Sequence, residues 1–229
     1  MKMRVLVTAL ALTVLSGCST LSALNPFSSD EKPPKLQPIT ASATARVLWQ
    51  ENVGKAGLYV FTPAVVGSTV YVAAGNGNIM RIDAGRVAWK INADQLLSGG
   101  VGADDDLVVV GTPKGEVLAF AAADGALRWK AQATSAVLAP PALGDGLVVV
   151  RSADNRLTAY DAADGKRKWI YQRPMPALAL RSTAGVLIDG SYVFAGFPGG
   201  KLVAVSTSNG AAVWEGTVAV PKGVTELDR

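Results

Sequence analysis

The chain of 229 residues contains no histidine and a single cysteine, Cys18. No disulfide framework can therefore brace it, and thiolate metal sites are excluded. The missing histidine removes the commonest metal ligand and the usual general base near neutral pH. No serine can have the imidazole partner that a hydrolytic triad requires. Charge is sparse, at 17% of residues with a formal net of +4, and Lys2 and Arg4 of an N-terminal leader supply part of the positive excess. No basic stripe is interleaved with aromatics, so nucleic acid is not an expected partner. The basic groups Lys166-Arg167-Lys168 and Arg151/Arg156 sit beside turn signals and read as solvated hairpin ends. The apolar run from Val5 to Leu15 has 11 residues, too short to span a bilayer as a helix.

That run follows Met1-Lys2-Met3-Arg4 and ends in Leu15-Ser16-Gly17-Cys18, which makes residues 1–17 a secretory signal peptide. The Leu-Ser-Gly-Cys ending resembles a bacterial lipobox. The resemblance implies a diacylglycerol on the Cys18 sulfur, cleavage before it and acylation of the new amino terminus. Several acyl chains on one residue anchor firmly where a single chain holds weakly. Ser19 stands where an aspartate marks inner-membrane retention in Gram-negative lipoproteins. The expected location is thus the periplasmic face of the outer membrane. Residues 18–44, with Pro26, Pro33-Pro34 and Pro38 and no apolar periodicity, read as a flexible tether.

Residues 45–229 are organised by tryptophan. Trp49, Trp89, Trp129, Trp169 and Trp214 are spaced 40, 40, 40 and 45 residues apart, the length of one four-stranded propeller blade. Each copy opens on a turn and a short apolar run, as in Asp105-Asp106-Leu107-Val108-Val109-Val110 and Asp145-Gly146-Leu147-Val148-Val149-Val150. Apolar residues on both faces suit a strand between neighbouring sheets. A second strand follows, as in Glu116 to Phe120 and Arg156 to Tyr160. Gly85, Gly125, Gly165 and Gly210 then precede tryptophan by four residues, each supplying the positive φ of a tight hairpin. The tryptophan falls on the last strand, where its ring can pack against the next sheet. The fold class is an all-β propeller of four-stranded blades. Four copies run from about Gly57 to Trp214, and Val47-Leu48-Trp49 reads as an orphan last strand. A closed ring of four is the alternative. A partial ring leaves one blade face uncovered at each end, and such faces are expected to associate or unfold.

The repeat resembles the quinoprotein type, best in Leu157-Thr158-Ala159-Tyr160-Asp161-Ala162-Ala163-Asp164-Gly165-Lys166-Arg167-Lys168-Trp169. Enzymes of that type need a calcium ion, an aspartate base and commonly paired cysteines over the quinone. The cysteine pair is impossible here. Asp104-Asp105-Asp106 offers hard oxygen ligands, but its place before a strand fits an ordinary turn. Gly75-Asn76-Gly77-Asn78 is a turn rather than a phosphate loop, because no helix follows it.

The connector after Trp169 is longer than its counterparts and reads Arg173-Pro174-Met175-Pro176-Ala177-Leu178-Ala179-Leu180-Arg181. Two prolines stiffen it, and Leu178 and Leu180 can point to one side of an extended segment. Arg181 adds a fork suited to a carboxylate. The leucines either face a partner or tuck under the neighbouring blade; their pattern fits both.

Signal, tether, repeats, this connector and the closing Thr225-Glu226-Leu227-Asp228-Arg229 together resemble the BamB lipoprotein family of the bacterial β-barrel assembly machinery. The resemblance implies a non-catalytic scaffold without cofactor or bound metal, and an eight-bladed ring of which about half is present. It implies that Leu178, Leu180 and Arg181 contact the periplasmic POTRA domains of the central barrel subunit, BamA. It leaves unfolded outer-membrane proteins open as a further partner. The alternatives are a quinone-dependent periplasmic dehydrogenase, on the repeat alone, or another periplasmic propeller binding module.

Overall fold

Short runs of valine, leucine and aromatic residues, punctuated by glycine and aspartate, form sixteen strands along the described residues. The computed structural model describes residues 43, 45–173 and 183–220. The chain divides into the units Met1–Arg46 and Val47–Arg229. Of the first, only residues 43, 45 and 46 are described, and all are exposed.

The first sheet of the second unit comprises β1 (Ala64–Val66), β2 (Thr69–Ala73), β3 (Asn78–Asp83) and β4 (Arg86–Asn92). The second comprises β5 (Gly99–Ala103), β6 (Leu107–Gly111), β7 (Glu116–Ala121) and β8 (Leu127–Gln132). The third holds β9 (Ala142–Gly144), β10 (Leu147–Arg151), β11 (Leu157–Asp161) and β12 (Arg167–Tyr171). The fourth holds β13 (Leu187–Asp189), β14 (Tyr192–Phe197), β15 (Lys201–Ser206) and β16 (Ala212–Thr217). Each is an antiparallel meander in chain order. The opening strands of successive sheets are neighbours, β1 with β5, β5 with β9 and β9 with β13. This is the propeller architecture expected from the repeat.

The core is the space between sheets. Tyr71, Ala73 and Ile79 of the first sheet pack with Val108, Val110, Leu118 and Phe120 of the second. Val109, Val117, Ala119 and Trp129 meet Val148, Val150 and Tyr160 of the third. Val149, Leu157, Ala159 and Trp169 meet Val193, Ala195, Val203 and Val205 of the fourth. Every residue of β6 and β10 is consequently buried. Each such side chain contributes about 1.5–3 kcal/mol relative to exposure, which explains the unbroken apolar runs of these strands.

Two sequence readings change. Val47-Leu48-Trp49 forms no strand and is exposed. It nevertheless begins a segment that touches the first sheet at three points. Trp49 lies against Gly85, the Gly75 N–H donates to the Lys55 carbonyl at 3.0 Å, and Asn78 Nδ2 donates to the Val53 carbonyl at 2.8 Å. Asn78, Met80 and Ile82 alternate onto the face turned away from the second sheet, and Met80 and Ile82 are each only 2% exposed. The centre of the face expected to be bare is therefore buried, while Val65 and Val87 at its edges are exposed. The fourth sheet keeps its outward face open, with Leu187, Tyr192 and Trp214 exposed and Phe194 half-buried.

Candidate docking site

What sets the sheets at a fixed spacing is a repeated contact between tryptophan and glycine. Trp89, Trp129 and Trp169 lie on β4, β8 and β12, opposite Arg81, Ala119 and Ala159. In all three, and at Trp214 opposite Ala204, the register shifts one pair further on, so one bulged residue on the tryptophan strand is left over. Each ring reaches the hairpin turn of the next sheet. A Cβ on Gly125 would stand 3.2 Å from the Trp89 ring, one on Gly165 2.6 Å from Trp129, and one on Gly210 2.8 Å from Trp169. The indole N–H then donates to a backbone carbonyl three residues before that glycine: Trp89 to Ala122 at 3.0 Å, Trp129 to Ala162 at 2.8 Å and Trp169 to Thr207 at 2.7 Å. The glycines adopt φ of +75°, +72° and +73°. They thus serve twice, as turn residues and as the floor under an indole. The period of 40 is legible in the sequence, but this second role is not, because it links one repeat to the next.

The third and fourth sheets are joined by a buried arginine at the end where the long connector leaves. Arg151, read from sequence as solvated, is 3% exposed. Its Nε and Nη2 donate to Asn155 Oδ1 at 3.2 and 2.6 Å, and its Nη1 donates to the Gly196 carbonyl at 2.7 Å. The guanidinium lies 5.1 Å from the centre of the Phe197 ring. Burial lowers its pKa from the ordinary arginine value. Turn proximity suggested solvent; the neighbouring sheet closes over the side chain instead. Tyr171 stands edge-on to Phe197, with centroids 5.8 Å apart.

Arg173, two residues beyond β12, makes a two-pronged ion pair with Glu215 of β16. Its Nη1 meets Oε2, and Nη2 donates to Oε1 at 3.1 Å. Lys201 Nζ approaches the same carboxylate at 3.4 Å. The hydrogen bond to Glu215 raises the Arg173 pKa, and the reciprocal bond from Arg173 holds the Glu215 carboxyl below its usual range. Residues 174–182 follow. Leu178, Leu180 and Arg181, singled out by the sequence, lie outside the described residues, as does Cys18.

Elsewhere the polar groups are structural. Asp104 Oδ1 accepts from the Asp106 and Leu107 N–H groups at 3.0 and 2.7 Å, as a turn former does. Gly75 and Asn76 form the turn into β3. A shallow groove of about 630 Å³ runs between the hairpins of the second and third sheets, lined by Asp104, Asp106, Arg128 and Asp161. Asp161 is engaged by Lys168 Nζ at 2.8 Å, which lowers its pKa. Burial pushes Tyr160 up to about 12, and its hydroxyl donates to the Gln132 carbonyl at 2.8 Å. Among the described residues no three carboxylates cluster as a metal site.

Four meandering sheets latched by tryptophan define a propeller of the quinoprotein-like class. Quinohemoprotein alcohol dehydrogenase from Comamonas testosteroni shares that fold, with a TM-score of 0.56 over 72% of this chain and 35% of its own, at 20% identity. The crystal structure of BamB from Moraxella catarrhalis superposes with a TM-score of 0.68 at 29% identity, over 73% of this chain and 52% of that one. The family model described as outer membrane protein assembly factor BamB matches residues 82–229. The chain belongs to that family. The assembly factor BamB of Bordetella pertussis is 43% identical over 221 residues, covering 94% of this chain and 57% of the relative. That of Pseudomonas aeruginosa is 49% identical over 227 residues, covering 96% and 58%. The chain thus spans a little over half the length of these relatives.

Proposed function

We propose that this chain is part of a non-catalytic lipoprotein that assists assembly of outer-membrane proteins. It docks on the POTRA domains of the central barrel subunit, BamA, through Leu178, Leu180 and Arg181. Acyl chains on Cys18 hold it at the periplasmic face of the outer membrane. Family membership over residues 82–229 is the observation that carries the reading. The connector supports it: it leaves the third sheet beside a clamp of buried and paired arginines, a rigid base for a segment with two prolines. The dehydrogenase reading retains only the shared fold, and fold alone does not assign chemistry.

The test is capture of the chain on immobilised POTRA domains. Leu178→Glu with Leu180→Glu is expected to reduce capture at least about tenfold, the effect of losing roughly 1.4 kcal/mol or more of binding. Full capture by a folded double variant would remove these residues from the site. Radiolabelled palmitate should enter the wild-type chain and not Cys18→Ala.

A further inference from the structure

We propose that the outer wall formed by β4, β8 and β12 is a docking surface for an anionic phospholipid bilayer. The proposal goes beyond the docking reading and does not depend on it. Opening strands of successive sheets are neighbours, and each sheet is a meander, so each last strand is a free outer edge. β4 carries Arg86 and Lys90, β8 carries Arg128 and Lys130, and β12 carries Arg167 and Lys168. None of these strands holds an acidic residue, and all six cations are exposed. Six cations exceed the chain's formal net charge of +4, so all other residues together carry −2. The positive excess belongs to one wall. Along the sequence it is inconspicuous, because each repeat adds only two cations. β16 breaks the pattern with Glu215 and no cation.

Lys168 pairs with Asp161 at 2.8 Å, and Arg128 borders the acidic groove. Arg86, Lys90, Arg128, Lys130 and Arg167 make no ion pair among the described residues. Each strand also exposes one aliphatic side chain beside its cations: Val87 is 41% exposed, Leu127 48% and Ile170 38%. An apolar group flanked by long-stemmed cations suits a headgroup layer, where the aliphatic enters and the charges meet phosphate. The tryptophans that alternate with these cations along the chain are turned onto the glycines of the next sheet. The wall therefore offers no ring for stacking on a nucleic-acid base. Mobile lipid anions gather under whatever spacing of cations they meet, which fits a pair repeated from sheet to sheet. Lysine on an edge also discourages strand pairing. Charge of either sign serves that purpose, yet three edges in succession carry one sign.

The experiment measures partition of the full chain onto vesicles of phosphatidylcholine alone and onto vesicles with about 30% phosphatidylglycerol. The ratio of the two partition coefficients cancels what a leader or acyl chain adds to both. Two variants of equal net charge are compared with wild type: Arg128→Gln with Lys130→Gln on the wall, and Lys55→Gln with Lys114→Gln off it. Wild type is expected to prefer the anionic vesicles at least about thirtyfold. The wall pair should lower that preference at least about fivefold and the other pair less than about twofold. All forms should melt within about 2 °C of one another, since the four side chains are exposed. Equal weakening by both pairs overturns the proposal, because net charge alone would then attract the bilayer. A wild-type chain with no preference for anionic vesicles also overturns it. So does an unchanged preference in the wall pair: loss of capture on immobilised POTRA domains would then make the wall a protein contact, and aggregation would make its cations edge protection only.

Discussion

At the scale of single residues, two turn glycines that look alike in sequence have different physical roles. Gly146 and Gly165 have nearly the same backbone, with φ of +69° and +72°. A Cβ on Gly146 meets nothing within 4 Å, whereas one on Gly165 would stand 2.6 Å from the Trp129 ring. Gly146→Ala is expected to cost only the left-handed backbone penalty, about 1–2 kcal/mol. Gly165→Ala adds overpacking against a ring that cannot retreat, about 1–3 kcal/mol more. Urea unfolding of the two variants reads the gap directly. Equal losses would mean that the indole does not rest on the turn. Arg151 teaches a related lesson at this scale. A cation beside a turn is usually solvated, but here the adjacent sheet supplies a carbonyl and a ring, its own turn supplies the Asn155 amide oxygen, and the side chain is buried.

At the scale of elements, each fourth strand holds its tryptophan opposite the same position of the third strand, just before a bulge. The bulge recurs in all four sheets. What differs is what the ring finds beyond its own sheet. Trp169 is 7% exposed and donates to the Thr207 carbonyl. Trp214 is 46% exposed, and its indole N–H has no acceptor among the described residues. Trp169→Phe leaves a buried carbonyl unpaired and thins a packed interface, for an expected loss of about 2–4 kcal/mol. Trp214→Phe is expected to stay within about 1 kcal/mol. Thermal melts of both variants decide this; comparable losses would show Trp214 to be as tightly latched as the others. The inner strand β5 was opaque to sequence reading for a similar reason. Its run Gly99-Gly100-Val101-Gly102 looks merely weak, yet a Cβ on Gly99 would lie 2.6 Å from the Val137 carbonyl and one on Gly102 2.2 Å from that of Pro141. Those glycines let two backbones touch, a requirement set by the neighbouring sheet.

At the scale of the whole molecule, stability is distributed unevenly. The second and third sheets have a neighbour on both sides, and the first has one neighbour and a second face whose central Met80 and Ile82 are buried. The fourth has one neighbour and an open face bearing Leu187, Tyr192, Phe194 and Trp214. Repeat arrays draw their stability from nearest-neighbour interfaces. Amide hydrogen exchange is accordingly expected to be at least about tenfold faster in β13–β16 than in β6, β7, β10 and β11. Uniform protection across all four sheets would mean that something covers the open face, and sedimentation would show whether it is a second copy.

The sequence by itself determined the blade: strand order, hairpin glycines, the strand that carries tryptophan, and through them the propeller class. These are local matters of turn geometry and of period, and they repeat. It also determined which catalytic chemistries lack their residues. Only the tertiary structure decided that the glycines are indole seats, that Arg151 is buried, that Trp49 rests on Gly85 without forming a strand, and that Arg173 reaches Glu215. Each of these joins residues from different repeats, and a repeat read along one chain does not say which of its side chains the next one will meet.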